Sequence, residues 1–104
     1  MKIEDIIDKD IAVYCSTEAK AEKFLEVCER QGITWSTGEK PTDIMMWKDF
    51  KNHTCYSIHH EYGCQDGKIN LYYGNIHDQY YSFDIIDYDD LEEVQFVIYE
   101  EENL

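Results

Sequence analysis

Basic residues are what this 104-residue chain lacks: nine Lys and Arg stand against 23 Asp and Glu, for a formal charge of −14. Residues 69–104 contain ten carboxylates and no Lys or Arg, whereas residues 1–68 carry 13 carboxylates and all nine bases. Affinity for nucleic acid through its phosphates comes from Lys and Arg displacing condensed counterions, so that mode of binding is excluded. Docking on anionic lipid is disfavoured for the same reason, and the charge instead favours partners with basic surfaces. No apolar run approaches the ~20 residues needed to cross a bilayer. The N-terminus, MKIEDIIDKD, alternates charge with isoleucine where an export signal would have a basic stretch followed by an apolar one. With one proline, five glycines and four cysteines lacking any C-x-x-C pair, the chain does not resemble a secreted disulfide framework. A soluble cytoplasmic protein with free thiols is expected.

What the chain does have is enough to fold. Hydrophobic residues make up 43% and aromatic residues 14%, too many for a disordered acidic tail, and the length suits one domain over 1–104. The charged end, 100–104, is compatible with an ordered or a flexible tail. Ile11 to Cys15 is a short apolar run, the length of a strand buried on both faces. Ser16 or Thr17 can cap a helix in which Ala21, Phe24, Leu25 and Cys28 share one face, and Gly32 sits where a left-handed residue would end it. Ile33 to Trp35 reads as the next strand, parallel to the first, completing a compact βαβ unit.

Thr42-Asp43 can cap a short helix carrying Met46, Trp47 and Phe50. Thr54 to His60 and Lys68 to Tyr73 flank a hairpin turn, and a register placing Tyr56 opposite Leu71 and Ile58 opposite Ile69 sorts apolar from polar faces. Tyr81, Phe83 and Ile85 alternate along another candidate strand, as do Val94, Phe96 and Ile98. The expected class is α+β: a βαβ opening, one mixed sheet of about five or six strands with helices against one face, one long helix and one short helix.

Four constellations could carry chemistry. Cys55, His59, His60 and Cys64, with His53 and His77 nearby, have the residue types of a zinc site. Such a site needs four ligands at one tetrahedral point, whereas five residues of strand hold Cys55 ~17 Å from the turn, and His59 and His60 point to opposite faces. No metal is expected there. Asp84 to Glu93 is rich in oxygen ligands but has no glycine and two adjacent isoleucines, unlike an EF-hand loop, so a solvated charged turn between two strands is expected. Cys15 and Cys28 read as buried thiols, Cys64 has no orienting group, and no Gly-rich phosphate loop exists. No catalytic residue and no cofactor are expected, and the chain is not read as an enzyme.

The fourth constellation is a surface that imitates nucleic acid. Glu18, Glu22, Glu26 and Glu29 form a ridge on the helix. In the C-terminal third Tyr80, Tyr81, Phe83 and Tyr88 interleave with aspartates, and carboxylates beside rings can meet Arg and Lys side chains as phosphates and bases do. The residues expected to bind a partner are Tyr80, Asp84, Asp87, Tyr88, Asp89, Asp90, Glu92 and Glu93. The alternative is a solvated helix face and acidic strand ends, with Tyr81 and Phe83 in the core.

The βαβ segment followed by ITWSTGEKPT, with its Trp35-Ser36-Thr37-Gly38 turn, then the tryptophan-containing short helix and TCYSI, resembles small proteins encoded by phages and prophages of low-GC Gram-positive bacteria. That resemblance covers about residues 10–90 and carries over no functional residue. In class it implies an inhibitor of bacterial defence, similar to anti-CRISPR and anti-restriction proteins, acting in the host cytoplasm. The expected function is a non-enzymatic inhibitor occupying the basic DNA- or RNA-binding groove of a CRISPR effector or other host nuclease. The alternative is a phage regulatory or assembly module working by protein contact through an exposed sheet edge, with a homodimer as one form.

Overall fold

The computed structural model describes residues 1–61 and 67–93. The apolar run after Asp10 forms strand β1 (Ile11–Tyr14), with Ala12 and Val13 both buried, as a strand covered on two faces requires. Thr17 ends the extended stretch and caps the next element, its hydroxyl accepting from the Lys20 amide at 3.2 Å. Helix α1 (Glu18–Arg30) buries Ala21, Phe24, Leu25, Val27 and Cys28 along one stripe. Gly32, at φ 78°, takes the left-handed turn that releases the chain into strand β2 (Thr34–Trp35).

The helix expected from Thr42 onward is shorter. Pro41–Asp43 makes a 3₁₀ turn, and helix α2 is the single turn Trp47–Phe50. Met46 at φ 60° and Lys51 at φ 49° bound it, and a right-handed helix of L-residues cannot pass through a left-handed residue. Two tyrosine hydroxyls hold the segment down: Tyr56 donates to the Met45 carbonyl at 2.8 Å and Tyr73 to the Asp49 carboxylate at 2.7 Å.

Strands β3 (Thr54–His60) and β4 (Ile69–Asn75) form the expected hairpin, and β5 (Asp84–Asp87) completes a five-stranded mixed sheet ordered β2-β4-β3-β1-β5. The fold is α+β, with one long and one short α-helix among the described residues. β1 and β2 run in the same direction, since β1 opposes β3, β3 opposes β4 and β4 parallels β2. They are not neighbours, as a compact βαβ unit would make them. The hairpin lies between them, which sets β2 about 14 Å from β1 at ~4.8 Å per strand. This places the most buried strand, β3, at the centre of the sheet, where five of its seven residues are buried.

The hairpin register also differs from expectation. Tyr56 faces Tyr73 and Ile58 faces Leu71, a slide of two residues. A two-residue slide keeps every side chain on its face, so alternation could not distinguish the two registers. The observed one sets Tyr73 opposite Tyr56, with the Trp35 ring 6.0 Å from the first and 6.3 Å from the second. The strand expected from Tyr81, Phe83 and Ile85 begins only at Asp84. Tyr81 is 81% exposed and lies in a turn-rich segment, so it is not a core residue. Asp84 to Glu93 is accordingly not a charged turn between strands: its first four residues pair with β1, and Tyr88–Asp90 is a 3₁₀ turn. The strand expected at Val94, Phe96 and Ile98, the turn around Gly63 and Cys64, and the end 100–104 lie outside the described residues.

The two sheet faces are covered differently. On the first, Phe24 stacks on Tyr56 at 5.4 Å, and α1 joins Val13, Ile58, Leu71, Trp35, Tyr88 and Leu91 with Ile3 and Ile6 in the main core. The second face has no helix among the described residues. Segment 76–83 lies over part of it, packing Ile76, Tyr80 and Phe83 on Ala12, Tyr14 and Cys55. That approach depends on Gly74, where a Cβ would fall 2.5 Å from the Gln79 Cβ and 3.1 Å from a Tyr80 ring carbon. Gly74→Ala should therefore lower stability by about 1–3 kcal/mol through overpacking. In urea unfolding the midpoint should fall with the slope preserved; an unchanged midpoint would show that the segment does not bear on the strand.

Candidate functional site

The eight residues expected to meet a partner divide sharply once placed. Tyr80 is 4% exposed and Tyr88 2% exposed, so both rings are interior and neither can stack on a partner. Tyr80 stands in the second-face cluster with its hydroxyl 2.8 Å from Ser57 Oγ; burial pushes its pKa up to about 12 against the opposing effect of that bond. Tyr88 lies in the main core, where burial, and then the negative groups around it, push its pKa up to about 12.

Three of the six carboxylates hold the structure together. Asp87 accepts from the Asp89 amide at 2.9 Å and so caps the 3₁₀ turn. Asp89 lies 3.1 Å from the Lys20 ammonium of α1, a bond that raises the lysine pKa. Glu93, half-buried, accepts from the Ile3 amide at 2.9 Å and from the Gln31 side chain at 3.3 Å, tying the N-terminus to the end of α1. Asp84, Asp90 and Glu92 are exposed, and among the described residues no hydrogen bond or ion pair holds their side chains, leaving them able to face a partner. The helix ridge is less uniform than its spacing suggests. Lys23 lies 3.9 Å from Glu26, Thr42 donates to Glu29 at 2.7 Å, and Lys20 and Lys23 line the groove between α1 and Tyr88-Asp89. A seam of lysines thus separates the ridge from the acidic strand end.

The groups considered for metal and thiol chemistry do not converge. Among the described residues no three His, Cys, Asp or Glu side chains form a cation-sized cluster. His59 and His60 do point to opposite faces. His59 lies against Tyr72 at 5.7 Å, while the His60 ring meets Asp8 at 2.6 Å. His53 and His77 pair with ring centroids 5.4 Å apart, and Cys64 lies outside the described residues. Cys15, Cys28 and Cys55 are buried; burial raises the first two thiols well above the ordinary range and Cys55 to about 12. Thiols held protonated in this way are poor nucleophiles.

A different set of side chains comes together on the second sheet face, and the sequence reading missed it. Four large apolar residues are exposed among the described residues: Met1, Tyr72, Tyr81 and Ile85. Tyr72 shares this face with Ser57, its register partner, and Ile85 shares it with Ala12. Tyr81 projects from the segment that lies over it. All three belong to residues 69–93, which contain seven carboxylates and no Lys or Arg. Exposed apolar side chains are therefore present within the acidic stretch, but they are Tyr72, Tyr81 and Ile85 in place of Tyr80 and Tyr88. The alternation that would have singled out Tyr72 is visible in the sequence; which face stays uncovered is not.

The Asp8–His60 pair supplies a pH test. Asp8, at φ 63°, accepts from the His60 amide at 2.7 Å and from its ring, and these bonds hold its carboxyl below the ordinary value of 3.8. A depressed pKa contributes stability that is complete above the unfolded value and is lost as pH falls through the lower folded one. Asp8→Asn should flatten the acid limb of the melting temperature below about pH 4 relative to the parent, and an unaltered limb would contradict this. Thiol labelling under native conditions should spare Cys15, Cys28 and Cys55, and unfolding in urea should expose all three. The chain matches no protein-family model, no curated protein and no solved structure, so its function rests on its own residues.

Proposed function

We propose that this protein is a non-enzymatic inhibitor that occupies the basic nucleic-acid-binding groove of a partner protein through its second sheet face. The observation that carries the reading is the exposure of Tyr72 and Ile85 on that face, and of Tyr81 on the segment that covers it, within 25 residues holding seven carboxylates and no Lys or Arg. Rings and an aliphatic side chain supply the desolvated contacts that dominate binding energy. The exposed carboxylates of the same stretch, Asp84, Asp90 and Glu92 among them, supply long-range attraction to Lys and Arg, along with discrimination against acidic surfaces. The same arrangement repels bare nucleic acid, so a nucleic-acid-handling protein is engaged by displacing its substrate. The phage-like features of residues 10–90 make a bacterial defence nuclease, of the kind anti-CRISPR and anti-restriction proteins target, the partner class this reading favours.

The test is capture from a bacterial lysate on immobilised protein at about 50 mM and about 500 mM salt, where screening lengths differ severalfold. A nucleic-acid-binding protein should be retained at the low value, and released both at the high value and by excess duplex DNA or RNA. Replacing the exposed Asp84, Asp90 and Glu92 together by Lys should reduce retention about tenfold or more without altering the fold. Retention insensitive to salt, to competing nucleic acid and to the triple variant would overturn the reading.

A further inference from the structure

The second face has a concavity where the covering segment ends. It measures about 380 Å³ and is walled by Ser57 and His59 of β3, Tyr72 of β4, and Gln79, Tyr80 and Phe83. Its rings stand as walls. Phe83 lies at 76° to Tyr80 with centroids 4.9 Å apart, and at 89° to His59 at 6.4 Å, while His59 is tilted 59° to Tyr72 at 5.7 Å. The face of an aromatic ring carries partial negative charge and its edge partial positive charge. The bond between Ser57 and Tyr80 at 2.8 Å fixes one wall, and the absence of a Cβ at Gly74 lets that wall sit down on the sheet.

Aromatic faces attract a cation, more strongly when it is drawn out of water. No lysine or arginine lines this space, and none occurs anywhere in residues 69–93, so an incoming cation meets no opposing fixed charge from that stretch. Directly across the β3–β4 ladder from His59, Asn70 is 1% exposed, and both its amide nitrogen and its oxygen lack a partner. Thr34, its register partner on β2, has an unpartnered buried hydroxyl as well. The face that carries the rings is thus also short of hydrogen-bond partners. A flat guanidinium, which stacks on aromatic faces, suits these ring walls better than a compact ammonium does.

We propose that this aromatic pocket receives the guanidinium of an arginine side chain on the protein partner. The inference rests on the reading of the second face as a surface for a basic partner, and it names the group that surface grips. The arginine enters between Tyr72 and Phe83 with its plane against a ring, and the acidic excess of residues 69–93 attracts it at long range.

The test uses the full chain labelled for NMR and titrated with N-acetyl-arginine-N-methylamide, with the citrulline analogue as a neutral isostere. Arginine should shift resonances of His59, Tyr72 and Phe83, and citrulline should bind roughly five- to thirtyfold more weakly. Tyr72→Ala should lose arginine binding while its circular dichroism is unchanged, because Tyr72 is already 40% exposed. Glu22→Ala, at an exposed position of α1 outside the pocket lining, should keep it. Equal shifts from both probes, shifts centred elsewhere, or no shifts would overturn the pocket assignment. Failure of the arginine probe alongside salt-dependent capture of a basic protein would remove the pocket and leave the wider reading standing. Arginine binding without any such capture would keep the pocket and remove the wider reading.

Discussion

The stacking of Phe24 on Tyr56, with centroids 5.4 Å apart, is the contact on which both sheet faces depend. Tyr56 lies at the middle of the central strand. Its ring takes the helix, its hydroxyl holds the Met45 carbonyl, and Trp35 leans against it at 6.3 Å. Losing a ring from such a site typically costs about 3–5 kcal/mol. Because side chains alternate along a strand, anchoring Tyr56 and Ile58 toward the helix commits Cys55, Ser57 and His59 to the opposite face. The pocket walls contributed by β3 are therefore a consequence of core packing on the other side.

The large acidic excess is distributed between two tasks. Asp87, Asp89 and Glu93 cap a turn, pair with Lys20 and fasten the N-terminus, so they repay part of the repulsion that a net charge of −14 imposes on a compact chain. Asp84, Asp90 and Glu92 remain exposed. The lysines of α1 face the acidic strand end, where Lys20 pairs with Asp89. Charge alone would have placed a partner on the helix ridge or on residues 84–93 indifferently; the lysine seam and the exposed rings favour the second sheet face.

Local signals in the sequence were legible where one residue does one job. Thr17 as a cap, Gly32 as a terminator, the buried run after Asp10 and the class of the fold are all readable from spacing. Relations between distant segments were not. The hairpin register differs by two residues, which alternation cannot detect, and the insertion of β3 and β4 between β1 and β2 leaves no mark on either strand. The same limitation misassigned the rings. Tyr80 and Tyr88 look like Tyr72 and Tyr81 in a list of aromatic residues beside aspartates. Burial separates them because Gly74 admits Tyr80 to the sheet and the main core admits Tyr88. His59, weighed in the sequence only as a metal ligand, becomes a pocket wall for the same reason: its neighbours are set by the ladder.

The central claim is that the partner sits on the second sheet face. Hydrogen–deuterium exchange of the chain, free and in complex with a captured basic protein, tests it most directly. The account predicts slowed exchange confined to β4 around Tyr72, to residues 76–83 and to β5 at Ile85, with the exposed side of α1 and residues 41–51 unchanged. Protection of α1 or of residues 41–51, with the second face exchanging as in the free protein, would contradict it.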